Sequence, residues 1–133
     1  MNKILVAYDG GEPARKALDL AADLARRFEA KVGVVSVVPV HPGRVAIDPW
    51  DDPAIHTQEL LEAQGIMREH GVEPELLQTA GDPAKTIERI AFEGGYDTVI
   101  VGSRGLGAIS RALQGSVSEH VATHTEATVI VAR

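Results

Sequence analysis

Residues 97–116 read DTVIVGSRGLGAISRALQGS: a β-branched run stops at Gly102, and a glycine-punctuated segment follows until the pattern turns helical at Ser116. Thr98 to Val101 is too short and too β-branched for a helix, so it predicts a strand over 97–101. Glycines at 102, 105, 107 and 115 free the backbone to bring successive N–H groups onto an anion at close range, because they carry no Cβ. Ser116 has Glu119 three residues on, the spacing of a capping box, and a helix start adds free N–H groups and a positive dipole end. Strand, anion-cradling loop and helix together predict a phosphate-bearing ligand at the exit of this strand.

Working outward, the same grammar recurs at the amino terminus. Ile4 to Tyr8 is a compact apolar run stopped by Asp9-Gly10-Gly11, and Glu12-Pro13 then opens a helical pattern of Ala14, Ala17, Leu18, Ala21, Ala22, Leu24 and Ala25. That helix is expected to run to about Phe28, with a valine-rich second strand over Val32 to Val38. Residues 39–53 hold four prolines, three aspartates and the only tryptophan, Trp50, and predict a long loop, either a solvated connection or a lid. A second helix is expected from Ala54 to His70, closed by a left-handed Gly71. A more polar third strand over Glu75 to Thr79 follows. A third helix is then opened by Gly81-Asp82-Pro83 and ended by Gly94-Gly95. After the glycine loop, a short helical patch around Ile109 to Leu113 and a longer piece from Val117 to His124 lead to a fifth strand, Thr128 to Ala132. Strands alternating with helices predict a parallel sheet covered on both faces.

The spacing Gly102-x2-Gly105-x9-Gly115-Ser116 resembles the nucleotide-binding motif of the universal stress protein family, ATP-binding subgroup, and MNKILVAYDGGE at residues 1–12 resembles that family's opening strand and acidic turn. Residues 81–133 are similar to its second half throughout, whereas 39–73 match only in length and general pattern. The resemblance implies a single domain over 1–133, an open five-stranded parallel sheet of order 3-2-1-4-5 of the adenine-nucleotide alpha-hydrolase-like type, and ATP as ligand. Any Mg or Mn would arrive with the nucleotide. It further implies that Gly102, Gly105, Gly115 and Ser116 contact the phosphates, with Ser103 and Arg104 lining the loop. Asp9 would lie near adenine or ribose, and Ala7 and Val37 against the base. Read without it, Asp9 is equally a turn-capping aspartate, Val37 simply core, and Gly102 a residue that lets a helix pack closely. Gly11 departs from the Ser or Thr the family usually carries after Asp-Gly, which removes a hydroxyl from that loop.

Composition narrows the function classes. The chain has 133 residues with 13 Lys and Arg against 19 Asp and Glu, a net charge of −6, which offers nucleic acid or an anionic membrane no general attraction. It has no cysteine, so disulfides, thiolate metal sites and cysteine nucleophiles are excluded. A strand beginning after Met-Asn-Lys leaves no signal-peptide pattern, and no apolar run approaches a membrane span, so a soluble, cytoplasmic protein is expected. His120 and His124, four apart, show no third ligand and carry no metal expectation; His41, His56 and His70 read as isolated. No catalytic triad is expected.

Two other functions compete with a nucleotide-dependent regulatory or stress-response module. An ATP-dependent ligase or pyrophosphatase of a related fold would carry a Ser-Gly-Gly-x-Asp-Ser type loop after strand one, and residues 9–13 read DGGEP instead. A flavin carrier would need aromatic rings for stacking, for which Trp50 and Tyr8 are the main candidates. Rapid ATP turnover is not expected. The glycine loop has no P-loop lysine, since Lys3, Lys16, Lys31 and Lys85 all precede it, and Asp9 reads as the sole carboxylate near the ligand. The apolar final strand, at a sheet edge by the same resemblance, predicts a homodimer through Thr128 to Ala132.

Overall fold

The computed structural model describes residues 1–39, 53–103 and 126–133. In chain order they form β1 (Lys3–Ala7), α1 (Glu12–Phe28), β2 (Lys31–Pro39), α2 (Pro53–Glu69), β3 (Glu75–Gly81), α3 (Pro83–Glu93), β4 (Thr98–Gly102) and β5 (Thr128–Ala132). The five strands make one sheet of order β3-β2-β1-β4-β5, every neighbouring pair parallel, as expected.

The central strands β1 and β4 are apolar because both of their faces are covered. Alternation divides the core into two layers. Ile4, Val6 and Tyr8 face a cluster with the alanine stripe of α1 and with Leu60, Ala63 and Met67 of α2. Leu5 and Ala7 point the other way, into a cluster with Val35, Val37, Val99, Val101 and the Ala84, Ile87 and Ala91 stripe of α3. The stripe on α1 consists mostly of alanines, which lets the helix lie close to the sheet. A Cβ on Gly102 would stand 3.1 Å from Ala14 N and from Pro13 Cβ, a tight contact, so glycine at the end of β4 lets α1 begin close against it.

Helix ends follow their local chemistry. Asp82 caps α3 by accepting from Lys85 N at 3.0 Å, with Pro83 in the first turn. Gly71 takes the expected left-handed conformation beyond α2. The second strand is longer than the sequence suggests: it includes Pro39, which pairs with Gly81. Proline is tolerated there because β1 has already ended, Ala7 being opposite Val35, so Pro39 has a ladder partner only on its β3 side. The loop expected beyond Pro39 with Trp50, the glycine loop from Arg104 onward and the helical segments expected up to His124 lie outside the described residues.

Candidate functional site

Because β1 and β4 are parallel neighbours, their carboxyl ends deliver the Asp9-Gly10-Gly11 turn and the Gly102-Ser103 exit to the same edge of the sheet. Strand order reverses at this point: the chain moves from β1 outward to β2 and β3, then crosses to β4 on the opposite side of β1. A crevice between such strand ends is where open α/β sheets bind ligands.

The acidic turn is stiff. Asp9 Oδ1 accepts a hydrogen bond from Gly11 N at 2.8 Å, and Gly10 between them sits at φ +81°, a conformation that strains any side chain. The turn-capping reading of Asp9 is therefore realised. Gly11 is the N-cap of α1 and supplies no side-chain cap bond, the consequence of the missing hydroxyl. On the neighbouring strand, Ser103 N donates to Ala132 O at 2.8 Å, tying the exit of β4 to the end of β5. Gly102 lies against the first turn of α1, as the packing reading of that glycine requires.

Ala7 and Val37 are both buried in the same apolar cluster, and Val37 stands two residues beyond the point where β1 stops pairing with β2. Of the nine residues expected to hold a nucleotide, the described part brings together Ala7, Asp9, Val37, Gly102 and Ser103. Arg104, Gly105, Gly115 and Ser116 are outside the described residues, as are His41, His120 and His124.

Two carboxylates join Asp9 that sequence reasoning missed. The expectation that Asp9 is the sole carboxylate here is corrected by α2, which lays Glu59 and Glu62 beside the β1–α1 turn. A Cβ on Gly10 would stand 3.5 Å from Cγ and Oε1 of Glu59. Tyr8 donates its hydroxyl to Glu62 Oε1 at 2.9 Å, and Arg15 of α1 bonds the same oxygen. Burial first, and the Glu62 carboxylate second, push the Tyr8 phenol up to about 12. Its ring is fully buried, so it is not available to stack a flavin.

His56, expected to be isolated, is instead buried on α2, with Nδ1 2.7 Å from Ser36 Oγ of β2 and 3.7 Å from Glu59 Oε2. Burial, then the charges of Asp9 and Glu62, raise the Glu59 carboxyl to about 7. The signal in the sequence was faint. The buried stripe of α2 is His56, Leu60, Ala63 and Met67, and Glu59 and Glu62 flank it one position before Leu60 and Ala63. Helical phase marks them as borderline, and only the packing of α2 over the turn makes them part of the site. His70, on the surface, lies 3.1 Å from Asp19.

Clefts among the described residues lie at the amino end of the sheet, away from the Asp9 turn. A cleft of about 530 Å³ lies at the opposite end of the sheet and is lined by charges of both signs, among them Lys3, Lys31, Glu73 and Glu75. Lys3 Nζ there is already donating to Gly94 O at 2.6 Å over the Tyr96 ring. Among the described residues no group of three His, Asp or Glu side chains could hold a metal ion, and no helix is long and apolar enough to cross a membrane.

The model of the universal stress protein family matches residues 1–133. The chain belongs to that family. It is similar to the universal stress protein YxiE of Bacillus subtilis, at 30% identity over 99% of each chain. Among solved structures it resembles a universal stress protein from Archaeoglobus fulgidus, with a TM-score of 0.80, 26% identity and coverage of 100% of this chain and 94% of the other. It also resembles the universal stress protein from Archaeoglobus fulgidus in complex with dAMP, with a TM-score of 0.78, 25% identity and coverage of 100% and 98%. The family's sheet order is the one observed here, with the acidic turn and the glycine exit adjacent.

Proposed function

We propose that this universal stress protein is an adenine-nucleotide-binding regulatory module whose ligand is ATP, with Mg or Mn carried by the nucleotide and with slow or no hydrolysis. The observation that carries the reading is the meeting of the Asp9 turn and the Gly102-Ser103 exit at the strand-order reversal. The dAMP complex of a relative supports the ligand class. In this reading the base lies against Ala7 and Val37 with Asp9 at its polar edge, and Gly102, Ser103, Arg104, Gly105, Gly115 and Ser116 serve the phosphates. Slow turnover follows from the charge present: the described groups beside the turn are Asp9, Glu59 and Glu62 with Arg15, and Arg15 is engaged by Glu62. Fast phosphoryl transfer needs positive charge positioned on the phosphates.

Calorimetric titration of ATP tests the reading. A β-branched side chain at Gly105 would fill phosphate space, so Gly105→Val is expected to abolish binding. Ser116→Ala removes one hydroxyl bond and weakens binding by about 0.5 to 1.5 kcal/mol. Wild-type affinity in both folded variants would end the phosphate-loop assignment.

The same module is proposed to dimerise through β5. That strand is the edge of the sheet, and its apolar residues stay partly open, Val131 at 40% exposure. Antiparallel pairing of two copies closes both edges. Sedimentation at micromolar concentration should give two chains for the wild type, and monomer or aggregate for Ile130→Lys.

A further inference from the structure

The buried polar groups where α2 crosses the β1–α1 turn enter the proposed function only as negative charge that slows turnover. They form a connected set. Glu59 lies beside Gly10, at van der Waals distance from where a Cβ would stand, and its side chain is only 19% exposed. Its Oε2 has no hydrogen-bond partner among the described residues and faces His56 Nδ1 at 3.7 Å.

We propose that Glu59 is a proton-linked control element for the carboxyl-end crevice, opposing an anionic nucleotide when charged and releasing that opposition when neutral. The proposal rests on the nucleotide reading of the crevice and adds regulation to it.

The groups around Glu59 leave its charge poorly compensated. From the turn comes Asp9, a second carboxylate. Glu62, on the same helix, is a third, and its Oε1 already serves two donors, the Tyr8 hydroxyl of β1 and the Arg15 guanidinium of α1. Arg15 of α1 is thus directed at Glu62. His56 of α2 approaches from within the helix, and its Nδ1 is shared with Ser36 of β2. Charging Glu59 sets a carboxylate beside Asp9 in a half-dry site, where like charges repel more strongly than in water. A nucleotide whose base meets the Asp9 turn carries its phosphates to the β4 exit, one strand away, and adds negative charge next to this group of carboxylates. Binding then favours the neutral carboxyl and takes up a proton, so affinity falls as pH rises. The window is near neutrality, because burial and the two carboxylates already carry Glu59 to about 7 before any ligand arrives. The same shift acts on folding. A carboxyl raised in the folded state favours that state at low pH, and this advantage is lost as pH rises from about 4.5 through about 7.

The test compares ATP affinity of the wild-type chain and Glu59→Gln by calorimetry at pH 6 and pH 8. The nucleotide's own titration cancels in the ratio of the two. The ratio is expected near one at pH 6, with the variant tighter by several-fold, on the order of ten, at pH 8. Thermal melting without nucleotide reports the charge directly: Glu59→Gln should melt above wild type at pH 8, and the gap should close at pH 5. A ratio that stays flat with pH, with both proteins binding ATP, overturns the control proposal and leaves the nucleotide reading standing. Absence of ATP binding in both proteins overturns the nucleotide reading and the control proposal with it, whatever the melting curves show.

Discussion

The two ends of the parallel sheet carry buried or half-buried carboxylates on opposite terms. At the amino end, Asp97 accepts from Asn2 N at 2.7 Å and Lys3 N at 3.0 Å through Oδ2, and from Thr98 Oγ1 at 2.8 Å through Oδ1. Burial works against its charge, but the bonds from Asn2, Thr98 and Lys3 outweigh it and hold its pKa below the ordinary aspartate value. At the carboxyl end, Glu59 is buried beside other carboxylates, and its pKa rises. The lesson is that hydrogen-bond supply decides whether a carboxylate is a fastener or a reservoir of strain. One end of this sheet closes strands together; the other keeps uncompensated charge where a ligand would arrive.

That contrast can be attacked at several points. The amino end should be the less forgiving to added volume. A Cβ on Gly33 would overlap the Tyr96 hydroxyl, with the ring held under Lys3, so Gly33→Ala is expected to cost about 1–3 kcal/mol by overpacking. Urea unfolding measures it, and a cost below about 0.5 kcal/mol would mean that the amino end yields as easily as a surface. Replacing Asp97 by Ala should cost about 1–2 kcal/mol at neutral pH by leaving the strand-end donors to water. Because its folded pKa is lowered from 3.8, its contribution is present above that value and is lost as pH falls below it. Melting curves of Asp97→Ala and wild type should therefore draw together as pH falls below 3.8; a constant gap would show that the aspartate acts by packing rather than by charge. The smallest effect belongs to the carboxyl end. Gly11→Ser restores the hydroxyl that family members usually carry, worth a few tenths of a kcal/mol as an N-cap over glycine. A Cβ there would sit 3.0 Å from Asp9 Oδ1, which opposes the gain. Stability should change by less than about 0.5 kcal/mol, and a larger loss would show the Asp9 turn to be as rigidly fastened as the Asp97 end.

Much of the architecture was legible because local signals agreed. Valine-rich runs, the alanine stripe of α1, Asp82-Pro83 before α3 and Gly94-Gly95 after it each state their own element. The strand order needed the family resemblance. No periodicity says that β4 lies beside β1, since that neighbourhood is a long-range pairing with 93 positions between Leu5 and its partner Val99. At the candidate site, Asp9 and Gly102 were readable as turn and loop residues, whereas Glu59, Glu62, His56 and Ser36 were not. Charged and polar residues on a helix or strand give no sequence sign of which element will cover them.

The sequence by itself therefore determined the alternation of strands and helices, the acidic turn after β1, the glycine exit after β4, and an apolar last strand. All of these follow from side-chain volume, branching and φ preference over a few neighbouring residues. The tertiary structure alone decided that Gly102 is closely approached by Pro13 and Ala14, and that Tyr8 is spoken for by Glu62. It also decided that a glutamate on α2 would sit against Gly10 with its charge disfavoured. The physical reason is range: conformational preference acts within a turn of chain, while desolvation and charge repulsion depend on which distant segment folding brings within a few ångströms.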